Sequence, residues 1–424
     1  MSAPDAAVSH DDEAVGERRR GLPLAFAVTW ISYAAYYLGR KGISVAKATI
    51  GSELGKSALY GVETVYLAAY AIGQYASGLL GDRVGARRLI GVGMLVSAAA
   101  CAAFGAFSGS VGFLLAFAVN GLAQSSGWPG NIKAMAQWTT RERRGAVMGF
   151  WATCYQVGGI AATAIAARMM VRFGWRGAFW GPALVMGLVA VVVLATLRAP
   201  KLPLEERPRD SASPSRPAGA DTDAAAQRRV LKSSTVWLYG CSYFCIKLIR
   251  YSFLLWLPFY LEVALHYDKT RAADFSTSFE IGGVVGTIAL GALSDRVRSV
   301  RRSVFAAASL VGLAGALLLY AKVGATSAAA NFAVMALVGA LLFGPDSVLS
   351  GAAAQDAGGP RAAAVAAGVI NGVGSAGAVL QELVTRGVSE AWGWNVLFYV
   401  FVALALTAAV VLVPTFREVK RARA

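Results

Sequence analysis

Apolar runs long enough to cross a bilayer recur along nearly the whole chain, separated by short polar or basic stretches. A hydrocarbon core about 30 Å thick takes about 20 residues of helix to cross. Turn and charge punctuation divides the sequence into twelve such helices. The first six are expected at about 22–46, 60–81, 87–108, 111–138, 144–171 and 175–197. The second six are expected at about 234–264, 272–294, 301–322, 328–356, 361–388 and 393–414. Between them, 198–233 carries Pro200, Pro203, Pro208, Pro214 and Pro217 among Ser, Arg and Asp. That stretch cannot bury apolar surface and reads as a flexible cytoplasmic linker. The expected organisation is an all-α polytopic membrane protein: tails at 1–21 and 415–424, and six-helix bundles at 22–197 and 234–414.

The two halves repeat each other. Gly78-x-Leu80-x-Asp82-Arg83, followed by Arg87-Arg88, returns as Gly291-x-Leu293-x-Asp295-Arg296, followed by Arg301-Arg302. Gly127-Trp128-Pro129 is answered by Phe343-Gly344-Pro345, and Gly174-Trp175-Arg176 by Gly393-Trp394-Asn395. Several pairs in the same order point to an internal duplication.

Composition agrees with the hydrophobic pattern. Of 424 residues 56% are hydrophobic and 15% charged, against about 25% charged in soluble domains. The net charge of +16 could suggest nucleic acid, but the basic residues gather in alternate loops: Arg83/Arg87/Arg88, Arg141/Arg143/Arg144, Arg296/Arg298/Arg301/Arg302 and the tail Arg417–Arg423. Such asymmetry is the positive-inside pattern and excludes a nucleic-acid reading; it places the basic loops and both termini in the cytoplasm of a multi-pass plasma-membrane protein. An arginine-rich, Ala/Gly-rich composition suits a bacterial inner membrane. The four cysteines lie in apolar spans and behave as small hydrophobes. With His10 and His266 the only histidines, no metal or cofactor site is expected, and no Walker loop or nucleophile–base constellation suggests an enzyme.

Two cations stand inside apolar runs: Arg40 in Tyr36-Tyr37-Leu38-Gly39-Arg40-Lys41, and Arg250 in Ile246-Lys247-Leu248-Ile249-Arg250-Tyr251. A cation at bilayer depth costs about 2.5–3.5 kcal/mol on insertion scales, so it persists only facing a cavity, a partner or a ligand. One in each half suggests a pocket for an anion. Guanidinium donors match phosphate oxygens two at a time, and a phosphate monoester carries a charge of about −2 at neutral pH.

Six plus six helices, a hydrophilic linker and the Gly-x-x-x-Asp-Arg motif after the second span resemble the major facilitator superfamily. That resemblance implies two pseudo-symmetric bundles with substrate near the midplane between them, and a functional monomer. It also implies a gating role for Asp82, Arg83, Asp295 and Arg296, alongside their reading as topology-fixing loops. The Arg40 and Arg250 segments, Gly127-Trp128-Pro129, Arg141-Glu142-Arg143-Arg144-Gly145 and Gly158-Gly159 are similar to the organophosphate:phosphate antiporters. In the glycerol-3-phosphate branch the arginines at these two positions bind phosphate, and by resemblance that role passes to Arg40 and Arg250. Tyr33 and Tyr37, one turn apart, with Tyr70 and Tyr251, match tyrosines of the family pattern and are expected to line the pocket.

The chain also departs from that branch. Tyr155 replaces a substrate-contacting histidine, Gln74 a lysine, and Lys247 a tyrosine; Lys247 is similar to the animal sugar-phosphate exchangers. Glu280 matches a family glutamate that pairs with the lysine after the first arginine, here Lys41, so a Lys41–Glu280 pair across the halves is expected. Asp346 has two readings: it neutralises Lys247, or it leaves Lys247 to the substrate. The function expected is exchange of an organophosphate for inorganic phosphate. The alternatives are a transporter-like sensor of external sugar phosphate and a carrier of another organic anion such as a phosphonate or carboxylate.

Overall fold

A computed structural model of the chain describes residues 3–201, 223–297, 299–324 and 326–416. Most of the expected linker, 202–222, and the basic tail at 417–424 lie outside the described residues, as does Arg298. Eight helices are long and apolar enough to cross a membrane. Two of these, Arg144–Thr196 and Ala328–Trp392, each hold two spans. They divide at Gly174 (φ 69°) and Gly359 (φ 60°), where a side chain would be strained. Val62–Val84 and the pair Ser110–Gln124 and Gly127–Trp138, which carry more polar residues, complete twelve spans among the described residues.

The repeat motifs acquire a physical meaning here. Gly174 (φ 69°) and Gly393 (φ 85°) are the turns into the sixth and twelfth spans, and both use a left-handed backbone open to glycine. One difference from expectation is the first span, whose helix reaches back to Ala3 through the stretch read as a tail. Arg18 anchors this extension by donating from Nε to the carbonyl of Gln137 at 3.0 Å.

Four spans are irregular where they approach the middle of the molecule. The first breaks at Tyr37, between Ala3–Tyr36 and Leu38–Leu54. The fourth breaks at Ser125–Ser126, the fifth at Ala152–Thr153, and the tenth carries a π-helical turn at Val348–Ala352. Irregular backbone at membrane depth survives only where protein groups satisfy what the helix gives up. Arg40 N bonds Tyr37 O, which leaves Tyr36 O without its usual helical donor, and the Gln124 amide supplies one at 2.9 Å. Pro345 has no N–H for the carbonyl of Leu341, and Ser309 Oγ donates to it at 2.9 Å.

The halves meet mainly at the end that carries the basic loops. The first segment of the fifth span, Arg144–Trp151, packs on the eighth span, and the second span packs on the eleventh. Glycines permit the approach: a Cβ on Gly145 or Gly149 would run into backbone carbonyls of Gly291 and Thr287 in the other half.

Candidate substrate site

Between the halves lies a narrow cavity lined from both sides. The N-terminal half contributes Tyr33, Tyr37, Arg40, Tyr70, Trp128 and Tyr155; the C-terminal half contributes Tyr243, Lys247, Arg250, Tyr251, Asp346 and Asn371. Arg40 sits just past the break in the first span, so its direction depends on how that break is held. Gln124 holds it: the amide donates to Tyr36 O and to Ser97 Oγ at 2.8 Å, while its oxygen accepts from Arg40 Nε at 2.8 Å. Asn120 adds a bond to Gly39 O at 2.8 Å. The guanidinium then lies 5.0 Å from the Tyr37 ring centroid and 5.2 Å from that of Tyr70, within cation–π range. Its Nη2 is buried with no hydrogen-bond partner among the described residues.

Arg250 is held from the tenth span in a comparable way, by a different chemistry. Its Nη1 donates to both carboxylate oxygens of Asp346, at 3.1 and 3.0 Å, with Asp346 only 1% exposed. The guanidinium lies 4.6 Å from the Phe343 ring centroid and 5.0 Å from that of Tyr155 in the other half. Among the described residues Nε is buried without a partner, as is the Tyr155 hydroxyl. Lys247, one turn earlier, donates to Asn371 Oδ1 at 2.6 Å and Ser375 Oγ at 3.1 Å on the eleventh span. Asn371 in turn donates to the Tyr70 hydroxyl at 3.3 Å, across the halves. Both arginines therefore keep donors for an anion after their anchoring bonds are made.

Below the cavity, at the basic end, the two repeat aspartates each sit against the start of a helix from the opposite half. Asp82 accepts from Ala364 N at 3.3 Å and Val365 N at 3.0 Å, and pairs with Lys133 at 2.7 Å. Asp295 accepts from Gly145 N at 3.0 Å and Ala146 N at 2.7 Å, and pairs with Arg302 at 2.7 Å. A carboxylate at a helix N-terminus satisfies free N–H groups and the helix dipole together. Asp356 adds pairs to Arg144 at 2.7 Å and Arg302 at 2.8 Å, and Trp128 Nε1 donates to Ser350 O at 3.1 Å.

The sequence profile of the Major Facilitator Superfamily matches residues 29–381. "Putative glycerol-3-phosphate transporter 2" of Arabidopsis thaliana is 30% identical over 434 residues, covering 92% of this chain and 85% of that protein. "Sugar phosphate exchanger 3" of Gallus gallus is 28% identical over 467 residues, covering 94% and 92% respectively. The chain belongs to the organophosphate:phosphate antiporter family of the Major Facilitator Superfamily. In fold it is similar to the crystal structure of the human organic anion transporter MFSD10, with a TM-score of 0.71 at 16% identity, covering 93% of this chain and 99% of that one.

Among the residues singled out by the antiporter resemblance, Arg40, Arg250, Lys247, Tyr33, Tyr37, Tyr70, Tyr155 and Tyr251 all line the one cavity. Two expectations need correction, and for Asp346 one of its two readings falls away. Asp346 is bonded to Arg250 and not to Lys247, whose amine is already taken by the eleventh span. Lys41 and Glu280 make no ion pair among the described residues. Both lie away from the basic end, where the contacts between halves gather. Arg83 and Arg296 are exposed and, among the described residues, make no ion pair that bridges the halves; Asp82, Asp295, Arg144, Arg302 and Asp356 do the bridging. Gln124, Asn371, Ser375, Lys133 and Asp356 were not picked out from the sequence. A neutral amide inside an apolar span, as at Gln124 and Asn371, was the signal available for the first two.

Proposed function

We propose that this protein is a secondary active transporter that exchanges an organophosphate for inorganic phosphate by alternating access, with phosphate held by Arg40 and Arg250. The observation that carries this reading is that one arginine from each half faces the same cavity, each fixed at one nitrogen with further donors unpaired. The lining residues hold three cations, Arg40, Lys247 and Arg250, against one carboxylate, Asp346, which leaves a charge of +2. A phosphate monoester of charge about −2 neutralises it. An empty pocket keeps its uncompensated cations, and this favours a carrier that changes conformation only when loaded. The glycerol-3-phosphate and sugar-phosphate names of the relatives agree with such a substrate.

Alternating access has its device in the basic-end contacts, where Asp82 and Asp295 cap helices of the opposite half. With the basic loops and both termini in the cytoplasm of a plasma membrane, the form described here is closed to the cytoplasm. The remaining lining groups, the Tyr hydroxyls and Asn371, would meet the organic part of the substrate.

Labelled phosphate uptake into phosphate-loaded proteoliposomes, competed with a panel of anions, tests this reading. Glycerol and hexose monophosphates are expected to inhibit strongly, and monocarboxylates such as lactate to have little effect. Inhibition by carboxylates equal to that by the phosphate esters would contradict it.

A further inference from the structure

The two anchoring bonds occupy comparable places in the two halves and differ in charge. Arg40 is held by a neutral amide from the fourth span and Arg250 by a carboxylate from the tenth. Asp346 also lines the cavity, so a phosphate bonded to Arg250 would lie against a buried carboxylate. Such like charges are not tolerated at close range in a poorly hydrated site. A second cation is within the same wall. Lys247 stands three residues before Arg250 on one helical face, lines the same cavity, and is held by the neutral acceptors Asn371 and Ser375. The backbone around Asp346 is irregular, with Pro345 before it and the π-helical turn Val348–Ala352 after it.

We propose that the Asp346 carboxylate is a displaceable counter-anion: arriving phosphate takes Arg250, and the carboxylate passes to Lys247. This rests on the phosphate reading above and specifies how the C-terminal half prepares for substrate. In the empty carrier Asp346 neutralises Arg250. In the loaded carrier Arg40 and Arg250 face the dianion while Lys247 and Asp346 face each other, so every charge in the cavity has a partner. The handover makes Lys247 a positioning residue for Asp346 and makes Asp346 a competitor of the substrate.

Calorimetric binding of inorganic phosphate to the purified full-length protein, together with phosphate-dependent unfolding midpoints, tests the handover. Asp346→Asn is expected to lower the Kd for phosphate at least tenfold, to enlarge the stabilisation that phosphate confers, and to slow maximal exchange. Lys247→Met is expected to raise the Kd at least tenfold, because the displaced carboxylate then has no cation to receive it. With Asp346→Asn in place, Lys247→Met should cost nothing further, so the double variant binds about as tightly as Asp346→Asn alone, whereas two independent sites would return it to the wild-type Kd. The double variant preserves the cavity charge of +2 and carries the comparison with Lys247→Met if Asp346→Asn alone does not fold. Wild-type protein that binds phosphate, with Asp346→Asn or the double variant binding no more tightly than wild type, overturns this proposal alone. No phosphate binding by the wild-type protein overturns the phosphate reading and this proposal with it.

Discussion

Replacing either Arg40 or Arg250 by lysine is expected to abolish phosphate exchange while the protein still folds and reaches the membrane. Lysine keeps the charge but not the fork of donors. At position 40 a single ammonium group must choose between Gln124, which now takes Nε at 2.8 Å, and the substrate. At position 250 it offers the substrate a single point charge in place of the planar pair of donors. A charge-assisted hydrogen bond contributes about 1.5–3 kcal/mol, so losing two amounts to about 3–6 kcal/mol. At 1.4 kcal/mol per decade that is a loss of roughly 10²–10⁴ in transport efficiency. The anchoring bonds can be made by lysine, so the unfolding midpoint should move little. Initial exchange rates and thermal unfolding of the two variants check this, and rates within a few-fold of wild type would sink the clamp.

The second large effect concerns the repeat aspartates, which look equivalent in the sequence and are not equivalent in the structure. Asp82→Ala is expected to destabilise the protein far more than Asp295→Ala. Lys133, with its side chain 6% exposed, has Asp82 as its ion-pair partner. Breaking a buried pair by removing one member costs about 3–5 kcal/mol, because the remaining charge has no compensation. Arg302 keeps its bond to Asp356 at 2.8 Å when Asp295 is removed. What Asp295→Ala loses is chiefly the cap on Gly145 and Ala146, a matter of about 0.5–2 kcal/mol. Unfolding midpoints in detergent compare the two, and equal losses would show that Lys133 is compensated elsewhere.

The parts of this architecture that were legible in the sequence are those that violate local expectation. Arg40 and Arg250 stand out because a cation inside an apolar run has a cost that must be met. The duplication stands out because Gly174 and Gly393 are turns at positive φ that other residues fill poorly. The partner of Asp346 was not legible, since Lys247 and Arg250 are one turn apart and either could reach it; only the placement of Asn371 and Ser375 decides the matter. The anchor Gln124 was missed because an amide costs little to overlook, although a broken helix beside it needed a donor for Tyr36 O. Nor does the sequence announce that break, which has no proline and falls at Tyr37. The Lys41–Glu280 expectation failed for a different reason. Residue pairing across halves depends on which end of the molecule is closed, and that is a property of a conformational state.

Trans-stimulation distinguishes phosphate exchange from every other mode of transport. Labelled inorganic phosphate uptake should be compared in proteoliposomes loaded with unlabelled phosphate and in vesicles loaded with an impermeant salt of the same ionic strength. Rapid uptake is expected only into the phosphate-loaded vesicles. Equal uptake into both, or none into either by folded protein, would contradict it.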